Sequence, residues 1–430
     1  MLILKNIGRL ITPLGNKPLK GAKAMNDLKV VLDAVVVCED GLISFVGTRA
    51  EFEKSSLYKD EIFPKLFVQK QEDIKMVDCQ NKAVLPGFCD SHTHLVFGGY
   101  RDDEFLKRAA GVSYMDIMKA GGGIAKSVEL TKKASEDELL KVANERIDEL
   151  LKLGITSVEI KSGYGLDKDT ELKQLRVINK LKVQNRINIV STFMGAHSIP
   201  KEYKGKDGGG LEYINFIIEE VLSLVKEGNL AEFVDIFCEK GVFSVLESEK
   251  LLAAAKEMGF GLKIHADEIV SLGGSELAVK MGCISADHLL HVSEKGIADL
   301  AGSNTIATML PLTAFCLDEP FAPVRKLIDS GAAVALATDF NPGSCFSFSI
   351  PLLIALSVLK MKMSINEVIT ALTLNGACAM GLGDKTGSIE VGKKADMVVL
   401  KFDNENFLAY HTGCDVVGMT VYSAQCIVHS

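Results

Sequence analysis

No uncharged apolar run in this sequence reaches the ~20 residues that a membrane-crossing helix requires. The nearest, Cys345 to Leu359, is 15 residues long and is interrupted by Ser347, Ser349, Pro351 and Ser357. The opening segment MLILKNIGRLITPLG lacks the uninterrupted apolar stretch of a secretion signal: Lys5 and Arg9 fall inside it, and no small-residue cleavage site follows. There is no basic excess. Forty-eight Lys and Arg against 56 Asp and Glu leave a formal charge of −8, which argues against a nucleic-acid groove. CxxC pairs are missing, and the ten cysteines form no even framework. Cys38, Cys238 and Cys378 sit in apolar contexts, where a thiol behaves as a small hydrophobe. Repeats, low-complexity stretches and long like-charge blocks are missing too. These absences predict an unprocessed, cytoplasmic chain in a reducing compartment, with neither membrane nor nucleic acid as partner.

What is present is a large capacity for a core. The 430 residues are 47% hydrophobic and 24% charged, outside the range of disordered chains. From about residue 140 onward, short β-branched runs alternate with stretches of helical period. The runs are 155–161, 187–197, 232–239, 261–268, 283–291, 304–311 and 332–340, preceded by AVLPGFCDSHTH at 83–94. Intervening stretches such as 135–154 and 247–259 begin with acids and end at Gly, as helices do. Eight nearly continuous apolar strands separated by helices predict an α/β fold with an all-parallel sheet, a (β/α)8 TIM-like barrel. A doubly wound sheet fits less well, because no Gly-rich dinucleotide turn follows any strand. Residues 1–80 and 387–430 carry short strands and turns without long helices. They are expected to pair into one small discontinuous β-domain, leaving 81–386 as the barrel.

Barrels of this kind place their chemistry at the carboxyl ends of the strands. His92, His94, His197, His265 and His288 all fall there, and Asp339 ends the eighth run. A polar group closing an apolar strand costs desolvation and needs a partner. In His92-Thr93-His94 both imidazoles project to one face and can reach one ion. Alone, such a pair is equally well read as two polar loop residues. With His265 and Asp339 added, the set suits zinc or iron, with a position left for a water whose pKa would fall towards 7. His288 is expected to move a proton or to stabilise an oxyanion. Glu268 could relay a proton, although composition alone favours an ordinary acid in the first turn of a helix. Lys240 follows its strand rather than lying in it, so one ion is expected and not a lysine-bridged pair.

LPGFCDSHTH, the later His and Asp positions and the segment NGACAMGLGDKTGSIEVGKKADMVVL resemble the amidohydrolase superfamily from about residue 30 to 402. Within it, HTHLVFGGYRDDEF, GVSYMDIMKAGGGI, VEIKSGYGL, FMGAHSIP, DIFCEKGVF, LKIHADE, ADHL and ATDFNPGS are similar, in order, to segments of the imidazolonepropionase family. The resemblance implies a barrel with a small β-sandwich built from the two terminal segments, and a homodimer. It implies hydrolysis of 4-imidazolone-5-propanoate to N-formimidoyl-L-glutamate, a step of histidine degradation. It implies one divalent or trivalent metal ion per chain, zinc or iron, held by His92, His94, His265 and Asp339. It further implies substrate contacts from Arg101, Tyr114, Tyr164, His197, Glu268 and the loop Asn341-Pro342-Gly343-Ser344, with His288 near the reacting centre and Glu268, His288 and Asp339 catalytic.

The chemistry of the residues agrees. The substrate that the resemblance implies is a cyclic amide with a propanoate arm, and an arginine offers a planar fork for that carboxylate. Without the resemblance, Arg101 reads as a surface residue paired with Asp102 or Asp103. Two other readings compete. A deaminase of a guanine- or cytosine-like ring would use the same metal set but needs no carboxylate-binding arginine. A non-catalytic scaffold on the same fold would be expected to lose metal ligands, and all four candidates are present.

Overall fold

The structure, a computed structural model, describes residues 1–62, 74–112 and 122–428. Five strands come first: β1 (Leu2–Thr12), β2 (Lys29–Glu39), β3 (Leu42–Thr48), β4 (Lys75–Asp78) and β5 (Ala83–Pro86). Eight form the barrel: β6 (Phe88–Asp90), β7 (Ile155–Lys161), β8 (Asn188–Ala196), β9 (Phe233–Cys238), β10 (Gly261–Ala266), β11 (Ser285–His288), β12 (Ile306–Met309) and β13 (Val334–Leu336). The last three are β14 (Met397–Leu400), β15 (Val417–Tyr422) and β16 (Gln425–Val428).

Strands β6 to β13 lie side by side in chain order in one eight-stranded sheet. The pairs from β8–β9 through β12–β13 are parallel. Its two ends meet: Thr93 bridges Phe340 in parallel, Asp339 N donates to His92 O at 3.0 Å, and His94 N donates to Phe340 O at 2.8 Å. The sheet is therefore a nearly closed (β/α)8 barrel. The helices start and stop where the sequence indicates. Ser244 and Glu247 form a reciprocal cap at the start of the helix Val245–Glu257, which stops before Gly259 at φ 77°. The helix Glu136–Lys152 has three acids in its first turn and Lys152 in its last, matching the helix dipole.

The terminal strands form a second, mixed sheet of eight strands, with the path β16-β15-β14-β5-β1-β2-β3 and β4 paired to β1. Alternation along β1 and β2 buries both faces. Leu2, Leu4, Val36 and Cys38 belong to one apolar cluster, whereas Ile3, Val35 and Val37 belong to another with Phe52.

The run 83–94 is not one strand. Ala83–Pro86 pairs with β1 and β14 in the terminal sheet, and only Phe88–Asp90 enters the barrel. The chain divides into two compact units, one of residues 1–89, 149–157 and 349–430, the other of 90–148 and 158–348. These partings differ from the expected ones at 80/81 and 386/387. Residues 349–386 go with the termini because their helices are tied to the segment 19–26. Leu19 N donates to Asn375 Oδ1 at 2.8 Å, and Thr370 Oγ1 donates to Met25 O at 2.8 Å.

Candidate metal centre and active site

Five polar side chains converge at the carboxyl ends of the barrel strands. One ligand atom from each of His92, His94 and His265 lies within 4.8 Å of the others, and the same holds for His92, His288 and Asp339. All five residues are buried. His92 Nε2 is 3.4 Å from Asp339 Oδ1, and His94 Nε2 is 3.8 Å from the same oxygen.

The imidazoles are oriented from behind. His92 Nδ1 is 2.6 Å from Asp287 Oδ2, His265 Nδ1 is 3.1 Å from Asp235 Oδ1, and His94 Nδ1 is 3.3 Å from the carbonyl oxygen of Ser162. An acceptor at Nδ1 requires the hydrogen there, which leaves the Nε2 lone pair free for a cation. The Nε2 atoms of His92 and His265 are indeed buried without a hydrogen-bond partner. A buried, unpaired nitrogen is costly unless something occupies its lone pair. The donor set of imidazoles and one carboxylate therefore fits a divalent metal ion. Burial holds His92 and His94 well below the usual histidine range, keeping them neutral as ligands must be.

Asp339 sits past the end of β13 at φ 50°. Thr313 Oγ1 donates to its Oδ2 at 2.7 Å. Burial, opposed by that hydrogen bond, pushes its carboxyl up to about 6. His288 has φ 79°, an uncommon backbone conformation for a residue with a side chain, held at the last position of β11. Its Nε2 lies 3.6 Å from Glu268 Oε2.

Glu268 is not a helix-start acid. The next helix runs Gly274–Met281, and its first-turn acid is Glu276. Asp267 instead serves the amino end of that helix, accepting from Gly274 N at 3.3 Å and from Ser275 N at 3.1 Å. Glu268 faces His288, and burial, then the charges of Asp339 and Glu239, push its carboxyl up to about 8.

Tyr164 and His197 wall one side of the imidazole cluster. His197 stacks on His94 with ring centres 5.0 Å apart, and Tyr164 lies 5.4 Å from His94 and 5.2 Å from His197. Burial lowers His197 to about 3. The Tyr164 loop is shaped by Glu171, which accepts from Gly163 N, Gly165 N and Leu166 N. Gly163 has φ 108°, and a Cβ there would lie 2.9 Å from Met194 O, so no other residue fits this turn.

Arg101 pairs with Glu104 at 2.8 Å through Nε, not with Asp102 or Asp103. Glu104 is itself 4% exposed. A Cβ on Gly343 would lie 2.2 Å from Arg101 Nη1, so the loop passes directly against the guanidinium and a side chain there would have to displace it. Asn341 organises that loop. Its Oδ1 accepts from Gly343 N and Ser344 N, each at 2.8 Å, and its Nδ2 donates to Asp339 O at 2.7 Å and Ser344 Oγ at 2.8 Å. Arg101 is thus connected to Asp339 through this loop, although Asn341 and Ser344 satisfy each other. Tyr114 lies outside the described residues. Lys240 is exposed and distinct from any ligand set.

Sequence reasoning missed the groups behind the ligands: Asp235, Asp287, Glu159, Lys161 and Lys263, all 0% exposed. Their signal was present, since each is a charge inside an apolar strand run.

The Amidohydrolase family model matches residues 83–423. The chain is 53% identical over 416 residues to the imidazolonepropionase of Clostridium tetani, covering 97% of this chain and 95% of that one. It is 50% identical over 432 residues to the imidazolonepropionase of Phocaeicola vulgatus, covering 100% and 99%. Among solved structures it is similar in fold to an adenosine deaminase from Xanthomonas campestris with bound zinc. The TM-score is 0.69 at 17% identity, covering 99% of this chain and 92% of that one.

Proposed function

Because the chain belongs to the imidazolonepropionase family of amidohydrolases, we propose that it hydrolyses 4-imidazolone-5-propanoate to N-formimidoyl-L-glutamate, with the residues gathered at the barrel mouth in the following roles. It is a hydrolase of small molecules, and among the described residues no helix is long and apolar enough to cross a membrane. His92, His94, His265 and Asp339 would hold one zinc or iron ion, for which the two unpartnered Nε2 atoms argue most directly. When bound, such an ion supplies Lewis acidity and a water of lowered pKa.

The remaining steps fall to the chain. Arg101, anchored through Nε by Glu104, turns its Nη edge to the propanoate carboxylate and fixes the distance from arm to ring. Tyr164 and His197 confine the ring beside His94. Asp339 orients the attacking water. Glu268, whose carboxyl keeps its proton near neutral pH, delivers a proton to the ring nitrogen as the C–N bond breaks and recovers one from the water. His288, 3.6 Å from Glu268, donates to the oxygen on which charge develops. The observation that carries this reading over the deaminase alternative is Arg101 beside the Asn341–Ser344 loop, since a neutral nucleobase has no carboxylate for it. A cytoplasmic setting belongs to the same proposal and is supported by ten free cysteines. So does a homodimer, which rests on the family resemblance.

The test is product identification by mass spectrometry with 4-imidazolone-5-propanoate, together with metal quantitation. N-formimidoyl-glutamate and close to one ion per chain are expected. Ammonia release from nucleobases instead, or two ions per chain, would overturn the substrate or the mononuclear site respectively.

A further inference from the structure

Beneath the imidazole cluster lies a group of charges that the reaction as described does not use. Lys161 Nζ is 2.7 Å from Asp235 Oδ2, 3.0 Å from Glu159 Oε1 and 3.7 Å from Asp287 Oδ2, with every member fully buried. Asp235 is the carboxylate behind His265, and Asp287 is the carboxylate behind His92. One ammonium therefore touches the supports of two different metal-site imidazoles, His92 just past β6 and His265 on β10. The second buried lysine, Lys263, reaches Glu159 at 3.0 Å and Ser91 O at 3.2 Å but neither supporting aspartate.

We propose that Lys161 is a positioning residue for the metal centre, fixing Asp235 and Asp287 so that His92 and His265 both present Nε2 to the same ion. The proposal rests on the metal reading above and adds a residue to it. An aspartate has two oxygens and free rotation about its terminal bond. Asp235 uses Oδ1 for His265 and Oδ2 for Lys161, so the ammonium locks the carboxylate plane that aims the imidazole. Asp287 uses Oδ2 for both His92 and Lys161. The three carboxylates hold the Lys161 ammonium in its charged form against the opposing cost of burial. Ile236 N also donates to Asp235 Oδ1 at 2.7 Å, so Lys161 supplies the contact on the other oxygen, Oδ2.

A purely structural role is the competing explanation: Lys161 could be present only to balance buried negative charge. Two variants separate the alternatives. Lys161→Met removes the ammonium at similar length. Lys161→Met/Glu159→Gln removes one charge of each sign and restores the balance, while leaving Asp235 and Asp287 without the ammonium between them. Zinc affinity is measured by competition with a chromophoric chelator, and melting temperature on the metal-free proteins. If Lys161 positions the supports, the single variant loses melting temperature, the double variant regains most of it, and both bind zinc about 10–100-fold more weakly than the parent. Parent-like zinc affinity in the double variant would overturn the proposal, leaving charge balance alone. Failure of both variants to fold would also overturn it, because the ammonium would then be holding the barrel rather than the ion site. A parent chain that binds no zinc or iron would sink the metal reading itself, whatever the variants do.

Discussion

The barrel strands and the terminal-sheet strands both carry fully buried side chains, but of different kinds. On β1 and β2, Leu2, Leu4, Ile7, Leu10 and Val36 are at most 2% exposed and wholly apolar. On β7, β9, β10 and β11, Glu159, Lys161, Asp235, Lys263 and Asp287 are equally buried and all charged. Apolar burial stabilises at roughly 25 cal/mol per Å². Buried ion pairs are weak contributors at best, and apolar residues of the same volume are often as stable. A fold under pressure for stability alone would fill both sheets as it fills the terminal one. On the reading proposed above, the charges in the barrel support what stands above them, a set of imidazoles that must point at one place. Substitutions should accordingly divide by region: the barrel mouth governs turnover, the terminal sheet governs stability.

The strongest test of that division is Glu268→Gln. Removing the proposed proton carrier should lower kcat by roughly 10²–10⁴, with metal content unchanged and melting temperature close to that of the parent. Steady-state kinetics beside metal analysis decides it, and a variant of parental activity would return Glu268 to the status of a bystander. The mirror test is Leu4→Ala in the terminal sheet, where the side chain is fully buried. The expected cost is about 2–5 kcal/mol of stability, with kcat per folded molecule unchanged. If denaturation shows that loss but kcat falls in proportion, the two regions are not separable in the way their composition implies.

A finer test lies within the barrel mouth. Arg101→Met should lower kcat/KM on the propanoate substrate by roughly 10–200-fold, as loss of a charged hydrogen-bond pair worth about 1.5–3 kcal/mol requires. Arg101→Lys should recover only part, since an ammonium cannot make the fork. An analogue without the carboxylate should be turned over equally by parent and Arg101→Met. Equal damage on both compounds would mean that Arg101 holds the loop at Gly343 and not the substrate.

The same contrast of regions explains what could be read from the sequence. The barrel strands were legible because strands covered on both sides are nearly continuously apolar, and their polar ends stood out. The break within 83–94 was not legible. Apolar residues continue through Ala83–Pro86 and Phe88–Asp90, and only pairing with the distant β1 and β14 shows that the first part belongs elsewhere. His92, His94, His265 and Asp339 were visible as polar endings, whereas Asp235 and Asp287 were visible only as charges in apolar runs with no stated partner. Glu104 was hidden among Asp102 and Asp103. Three consecutive acids beside an arginine do not say which one turns inward, and the helix Asp102–Ala109 decides it by burying Glu104. The helix-start reading of Glu268 failed because the chain spends five further residues, 269–273, before the helix begins.

The smallest expected effect is a pH dependence that belongs to the barrel mouth alone. Glu268 is raised to about 8 in the folded chain, first by burial and then by Asp339, Glu239 and Glu319. A glutamate in the unfolded chain titrates near 4.3. The fold therefore favours the neutral carboxyl, and the group's stabilising share is complete below about pH 4.3 and lost as pH rises towards 8. Glu268→Gln is neutral throughout and loses nothing over that window. In the metal-free protein the variant should match the parent at pH 4 and exceed it at pH 8.5 by an amount on the order of 1 kcal/mol. The full linkage value is larger, but the side chain is 15% exposed and water relieves part of the cost. Urea midpoints of both proteins, measured with chelator across this range, give the difference directly. Other titrating groups are common to the two chains and cancel to first order. A difference that stays flat from pH 4 to 8.5 would show that Glu268 ionises in the folded chain as freely as in water, and the proton it is assigned to carry would have to come from another group.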